Sequence, residues 1–570
     1  MSAAAFVGGI EIISRSARLC VVWLLGAGLA TAAANVQIAP LSKPSAFAEA
    51  TDPDALAYAC ADDSAALSQF FAGKQLPFES GLVRRRGAFA ACHVYYEPTL
   101  KGFRASRDNA KIQSLYIAAD PLSFFLRGDL AGYSLDIAKS VLSRLPRPID
   151  VRLSVAGDFD ESLWTPAAVT HFAGYPHEFS FFHSGTAESH PWTQDHIKAG
   201  ELNGQLRILI PRRLYEGRQE DGEMTKGLLS RLEQERFVRS KLSWEGGGMQ
   251  FVADPRDPSK TIMALGGGMR YWGEELSQRE YAYVLRVEFG ADEVLDLSAI
   301  GPHADYLVAF LPADNTALVS AMVRQSGEAA RAAAFALLDS FGDEKPAAVR
   351  RLASLLAEWP AVLSDRPPPI MTAITDARKA LDNLAPEADQ ELDVLVNRYV
   401  AQHCPENPAV CFDGSQANRL FQADPELARR TASRSAVEAV NASLRPMLLD
   451  LIEAQTSIAA WEEEPLLEDA VRQLQQFGFR TVRVPHLSGG EGASVSYVNS
   501  LLFDRRLFVP SLGLGGYEER LFAKLKNDLG GRYEILPVNA RTVLSMDGGV
   551  HCVFGIIREV EMPAGTAARD

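Results

Sequence analysis

Cysteine is scarce in this chain. There are six in 570 residues, with no C-x-x-C pair and no histidines at ligand spacing beside them, which excludes a structural zinc site. Long apolar runs are scarce as well: after residue 40 no stretch approaches the roughly 20 apolar residues that a membrane-spanning helix needs. Basic charge is in deficit, with 57 Lys and Arg against 72 Asp and Glu and a formal charge of −15. That balance argues against binding through nucleic acid phosphates. What remains, 47% hydrophobic and 23% charged, is the composition of a soluble globular protein long enough for one large domain and a smaller one.

The N-terminus stands apart. Arg15 and Arg18 precede an apolar run, Leu19 to Leu29, followed by Ala-Thr-Ala-Ala-Ala, the pattern of a secretory signal with small residues at its cleavage site. Residues 1–34 are therefore expected to be removed, leaving a secreted or periplasmic protein without a stable membrane anchor. Removal takes away Glu11, Arg15 and Arg18, so the formal charge moves from −15 to −16. An acidic surface favours cationic partners such as arginine-bearing peptides, although solubility alone accounts for it.

The mature chain keeps Cys60, Cys92, Cys404, Cys411 and Cys552. Five is an odd number. In an oxidising compartment Cys60 with Cys92 would staple the N-terminal region and Cys404 with Cys411 would close a short Pro-containing loop, leaving Cys552 as the unpaired thiol.

Residues 35–110 read as a small N-terminal region of loops and short elements, interrupted by Pro40, Pro44, Pro53 and Pro77. Over 111–315 the periodicity predicts strands near 115–119, 151–155, 178–183, 206–210, 249–253, 261–265, 281–287 and 306–311, with helices near 134–145 and 227–242. Residues 316–476 turn to Ala, Leu, Glu and Arg at helical spacing, around 329–340, 347–359 and 436–454, with Pro367-Pro368-Pro369 between them. This block reads as a helical insertion. From 477 to 565 the mixed texture resumes, with strands near 481–484, 501–509 and 533–536, a helix near 516–529, and a last strand over 550–557 that carries Cys552 behind Gly548-Gly549.

A cysteine on an apolar strand is usually a small core residue. Its company upstream points elsewhere. Replacing a nitrogen of a guanidinium requires carboxylates to hold a planar cation, a sulfur to attack its carbon, and a group to protonate the departing ammonia. His303 and Asp305, two apart at the head of a predicted strand, would share one face and suit a general acid/base beside a substrate carboxylate. Asp195, in Trp192-Thr-Gln-Asp195, fits a second carboxylate but equally a helix cap. Glu245, in Trp244-Glu-Gly-Gly-Gly248, fits a close backbone approach but equally a plain turn.

Trp192-Thr-Gln-Asp195, the stretch from Gly301-Pro-His303-Ala-Asp305 to Pro312, and Val550-His-Cys552 occur in the same order as the catalytic motifs of protein-arginine deiminases, and resemble them. The stretch from Val498-Asn-Ser to Pro510 resembles the segment before that family's catalytic cysteine. The resemblance covers roughly residues 110–560. It implies the pentein fold, a five-bladed α/β propeller with the site on its axis, here with a helical insertion and a small N-terminal region. It also implies hydrolysis of arginine in peptides or proteins to citrulline and ammonia. Cys552 would be the nucleophile, His303 the general acid/base, Asp195 and Asp305 the guanidinium clamps, and Trp192 part of the substrate-binding set. Trp244-Glu-Gly-Gly resembles the Glu-Gly-Gly of arginine and agmatine deiminases, which implies that Glu245 orients His303.

Two departures matter. Val553-Phe554 follow the cysteine where that family has a small residue and a threonine. Lys198 stands where animal members carry a calcium-binding glutamate, and an ammonium cannot ligate a hard cation. No cofactor is expected, and calcium, which the resemblance would bring, has lost that ligand. The alternatives are a deiminase or amidinotransferase for agmatine, free arginine or another small guanidine, or a catalytically inactive binding module. A papain-like hydrolase fits poorly, because Cys552 follows His303 and lacks those proteases' local signature.

Overall fold

The computed structural model describes residues 36–40, 55–119, 134–155, 168–183, 192–212, 236–267, 276–299, 301, 303–322, 326–358, 369–384, 441–442, 444–456, 464–488, 494–544 and 548–559. The expected signal segment, Cys404 and Cys411, and most of the helix read over 227–242 lie outside these residues. No helix among them is long and apolar enough to cross a membrane.

Two compact units are present. The described residues of the smaller are 36–40 and 56–95. Its sheet runs in the order Gln37–Pro40, Leu56–Ala61, Phe89–Tyr96, Arg84–Arg86. The helix Ser64–Lys74 begins at Asp63, whose carboxylate accepts from the Ala66 amide at 2.8 Å. A disulfide joins Cys60 to Cys92 across the two central strands, and both cysteines are fully buried.

The larger unit repeats one motif five times. In each repeat a central strand pairs antiparallel with one neighbour and parallel with another. Gln205–Ile210 lies between Lys198–Leu202 and Phe237–Arg239. Asp257–Leu265 lies between Met249–Asp254 and Glu293–Asp296, and Thr316–Met322 between Val308–Leu311 and Arg480–Ser488. Arg506–Ser511 lies between Leu501–Phe503 and Glu534–Asn539. Ile112–Ala119 lies between Gly555–Arg558 and Asp150–Val155. The fifth sheet thus joins the start of the unit to its end. Central strands such as Ile112–Ala119 are apolar on both faces, with Leu115, Tyr116, Ile117 and Ala118 at most 1% exposed, as strands covered on both sides must be.

Several elements differ from the sequence expectation. Residues 281–287 are part of the helix Gln278–Phe289, not a strand. The run Tyr-Ala-Tyr-Val-Leu imitates a strand because Tyr281 to Leu285 are all buried, which erases helical periodicity. The ends nevertheless specify a helix: Ser277 and Glu280 form a reciprocal capping box, and Gly290 closes the C-terminus at φ 64°. Residues 237–239 form a parallel strand where the end of a helix is expected. Thr316–Met322 is a central strand, so helical texture starts only at Ser326. Residues 501–511 are a hairpin of two strands turning at Asp504, whose φ is 53°.

Two corrections bear on chemistry. His303 caps a four-residue helical turn, Ala304–Leu307, ahead of the strand Val308–Leu311, so its pairing with Asp305 is not strand alternation. Cys552 is not on a strand either. It sits in the single 3₁₀ turn His551–Val553, entered through Val550 in helical conformation, and the strand begins at Gly555.

Candidate active site

Each of the five sheets has a short turn immediately before the strand that pairs antiparallel with its central strand. The turn Thr193–His196 precedes Lys198–Leu202, and Gly246–Gly248 precedes Met249–Asp254. Ala304–Leu307 precedes Val308–Leu311, a turn at Asn499 precedes Leu501–Phe503, and His551–Val553 precedes Gly555–Arg558. All the site residues read from the sequence fall in or beside these turns. Equivalent positions of a repeated fold thereby bring together residues as far apart in sequence as Asp195 and Cys552.

The turns are locked against one another. The Thr193 hydroxyl lies 3.0 and 2.5 Å from the carbonyl oxygens of Tyr116 and Val553, which share its one proton, and accepts from the Gly555 amide at 2.7 Å, fixing the Asp195 turn to the Cys552 turn. A Cβ on Gly246 would lie 1.9 Å from the Gln194 carbonyl oxygen, so only glycine allows those two turns to meet. Trp192 packs its ring where a Gly548 side chain would be, 1.9 Å from that missing Cβ. It props the cysteine loop.

Gly247 sits where the side chains of the site close in on one another. Its amide donates to Asp195 Oδ1 at 2.8 Å. The Cβ it lacks would stand 2.7 Å from His303 Nδ1, 3.0 Å from Asp195 Oδ1 and 3.2 Å from Asp305 Oδ2. Two carboxylates and an imidazole therefore converge on one small volume. Asp195, Glu245 and Asp305 are 4%, 7% and 2% exposed. Burying several carboxylates together is costly, which makes the volume receptive to a cation.

His303 is held from behind by Glu245, with Nε2 and Oε2 2.9 Å apart, and its Nδ1 lies 3.8 Å from Asp305 Oδ1. Burial acts to lower its pKa, but the Glu245 hydrogen bond and the fields of Asp195, Glu245 and Asp305 outweigh it and push the pKa up to about 10. The imidazole is then a cation at neutral pH, with a proton to give. Asp305 Oδ2 meets His551 Nδ1 at 2.9 Å and Cys552 Sγ at 3.5 Å, while Asp305 Oδ1 has no hydrogen-bond partner among the described residues.

Cys552 is 6% exposed and is a free thiol. Burial, then Asp305 and Asp195, push its pKa well above the usual thiol value; the Gly549 amide and the Asn499 side chain pull the other way. In this state the sulfur carries its proton. Lys198 is buried behind the carboxylates, donating to the Met249 carbonyl at 2.9 Å. Burial lowers its pKa while Asp108, Asp305 and Asp195 support the charge.

The sequence reading thus named Asp195, Glu245, His303, Asp305 and Cys552, and the fold brings all five together, with Trp192 against the Cys552 loop. It missed Asn499, which contacts the sulfur, and gave no role to His551 or Gly247, although all three lie inside stretches singled out for other reasons. As for metals, Asp195, Glu245 and His303 each bring a ligand atom within 4.8 Å of the others. A divalent cation there would have to replace the hydrogen bond between His303 Nε2 and Glu245 Oε2.

No protein-family model matches the chain, and no curated protein matches it. Solved structures of similar shape include the agmatine deiminase of C. jejuni, at 14% identity and a TM-score of 0.44, over 81% of this chain and 97% of that one. The agmatine deiminase of Enterococcus faecalis aligns at 11% identity and a TM-score of 0.40, over 80% and 96%. The dimethylarginine dimethylaminohydrolase of Pseudomonas aeruginosa aligns at 12% and 0.32, over 78% and 100%. With likeness that low, function has to be argued from this chain's own side chains.

Proposed function

We propose that this protein is a cysteine-dependent hydrolase of guanidines, built as a pentein-type five-bladed propeller in which each repeated sheet is one blade. The observation that carries the reading is the convergence of Asp195, Asp305 and His303 on the volume beside Gly247, with the Cys552 sulfur against Asp305. A guanidinium entering that volume would lie between two carboxylates, each able to accept from its N–H edges. Its positive charge offsets the two fields that hold the thiol protonated, so binding and activation of the nucleophile are one event.

As the cation binds, the Cys552 thiol gives its proton to solvent, and the thiolate adds to the guanidinium carbon. His303 protonates the leaving nitrogen, and ammonia departs from a thiouronium bonded to Cys552. Neutral His303 next takes a proton from water, which attacks the same carbon. The C–S bond breaks, leaving a ureido product and the free thiol. Glu245 holds the imidazole in place through both steps.

A small free guanidine is the substrate class we put first, because the two carboxylates nearest Cys552, Asp195 and Asp305, both address the guanidinium itself. Peptidyl arginine is the second reading. It rests on the order of the motifs shared with protein-arginine deiminases. The test is to incubate the mature chain with agmatine, free arginine, a methylated arginine and a blocked arginyl peptide and to measure ureido product and ammonia. Turnover abolished by Cys552→Ala is expected. Turnover of none of the four, or a Cys552→Ala variant as active as the wild type, would sink the proposal, and a preference for the blocked peptide would move the assignment to protein arginine.

A further inference from the structure

Four of the five turns that build the site carry residues whose part in the chemistry is already clear, namely Asp195, Glu245 with Gly247, His303 with Asp305, and Cys552. The remaining turn, ahead of Leu501–Phe503, contributes Asn499, which is fully buried. Its amide reaches the sulfur: Nδ2 donates to Cys552 Sγ at 3.1 Å. The orientation of that amide is forced. Asn499 Oδ1 accepts from the backbone amides of His551 at 2.9 Å and Cys552 at 3.4 Å, so the NH₂ group must face the sulfur.

The surroundings press Asn499 into this position. Tyr497, two residues earlier, donates to the buried Glu518 carboxylate at 2.8 Å, and Glu518 also accepts from the amides of Leu512, Gly513 and Leu514 at the head of the helix Gly516–Asp528. On the other side, a Cβ at Gly549 would lie 2.4 Å from Asn499 Oδ1, so the loop closes tightly on the amide. A loop clamp would need only the oxygen. The donor half of the side chain is spent on sulfur.

We propose that Asn499 is a further catalytic residue of this site, a fixed donor that stabilises the Cys552 thiolate and holds it in line for attack. The proposal rests on the reading of Cys552 as the nucleophile. The charged groups around the sulfur make such a donor necessary. Asp305 and Asp195 both oppose a negative sulfur. His551 is engaged with Asp305, and His303 with Glu245, with Lys198 directed to the Met249 carbonyl. Besides the Gly549 amide, Asn499 is the group whose hydrogen bond favours the thiolate. A hydrogen bond to an ionised acceptor is among the stronger kinds, and removing it raises the thiol pKa.

Asn499→Asp separates the two halves of the side chain, because it keeps an oxygen for the His551 and Cys552 amides and replaces the donor with a carboxylate oxygen. The readout is the rate of iodoacetamide labelling of Cys552 against pH, followed by the mass of the Cys552 peptide from the intact mature chain. This needs no substrate, so it stands apart from any failure of the guanidine reading. The expected result, in a variant that a thermal melt shows to be folded, is labelling at least about tenfold slower below the wild-type midpoint, equivalent to a pKa raised by one unit or more. Asn499→Ala should give a smaller upward shift. An unmoved pH profile in a folded Asp variant overturns the proposal. Loss of the fold in both variants also overturns it, since Asn499 would then serve the loop and not the sulfur.

Discussion

Gly247→Ala adds a single methyl at the place where the substrate cation is read to lie, and the structure gives its position. The new carbon would stand 2.7 Å from His303 Nδ1, 3.0 Å from Asp195 Oδ1 and 3.2 Å from Asp305 Oδ2. Ordinary contact begins at 3.4 Å, so the imidazole would have to retreat by about 0.7 Å. It cannot do so freely, being tied to Glu245 at 2.9 Å. A displacement of about 1 Å near the reacting atoms costs on the order of 100-fold, and the methyl also takes space from a planar guanidinium. The expected loss in kcat/KM is therefore at least about 100-fold, or ~2.7 kcal/mol of transition-state stabilisation. Overpacking of this size costs about 1–3 kcal/mol in stability, so the variant should still fold. The flanking glycine supplies the control: a Cβ on Gly248 meets nothing within 4 Å, and Gly248→Ala should stay within about threefold of wild type. Steady-state rates on the best guanidine, with melting temperatures of all three proteins, decide the matter. A Gly247→Ala enzyme within threefold of wild type would refute the placement of substrate in this volume.

Three other outcomes follow from the same geometry. His303 is held at a pKa of about 10 against ~6.5 in the unfolded chain; its raised pKa adds stability that is complete below pH ~6.5 and drains away as pH rises toward 10, by at most ~1.4 kcal/mol per pH unit. Urea titrations across that window should show the decline, and Glu245→Gln should flatten it; an unchanged slope in that variant would contradict the assigned cause. The carboxylates make Cys552 selective for charge, so cationic 2-chloroacetamidine should label it at least about tenfold faster than iodoacetamide once both rates are divided by those for free glutathione. Asp305→Asn should erase that preference, and a neutral reagent winning in the wild type would count against the clamp. Reducing Cys60–Cys92, which are 32 residues apart, should destabilise the smaller unit by about 3–4 kcal/mol. Proteolysis of that unit before and after reduction reads the change, and equal cleavage rates would contradict it.

The large unit's elements were legible where strands are short and bounded, as at Glu178–His183, and where helices are amphipathic, as at Ala347–Glu358. They were not legible where burial on all sides removes the period, as in Gln278–Phe289, or where a central strand such as Thr316–Met322 adjoins a helix rich in alanine. The candidate site shows the same division. Cys552, His303, Asp195 and Asp305 announce themselves by residue type and by short motifs. Their backbone did not, because 3₁₀ and single-turn helices have no sequence period. Asn499 was invisible for a different reason: one asparagine in Val498-Asn-Ser-Leu looks like a turn former, and only the repeat of five sheets reveals that its position matches those of the other site residues.

That repeat also explains why so much negative charge is tolerable. Around Cys552 stand Asp195, Asp305 and Glu245, against which the fold sets a protonated His303 and a buried Lys198. The acids outnumber these two groups, and Asp305 Oδ1 has no hydrogen-bond partner among the described residues. Burying such an excess works against folding, and the interlocked turns around Gly246, Thr193 and Gly548 keep the carboxylates from swinging away to relieve it. A bound monocation offsets the excess, engages the orphan oxygen and lowers the thiol pKa together. A neutral urea, the product of the proposed reaction, does none of these, so on that proposal the excess that would draw the substrate in would also let the product go. Product inhibition should therefore be weak relative to inhibition by unreactive cations of the same length. A ureido product that competes as tightly as its parent guanidine would mean that shape, not charge, governs binding here.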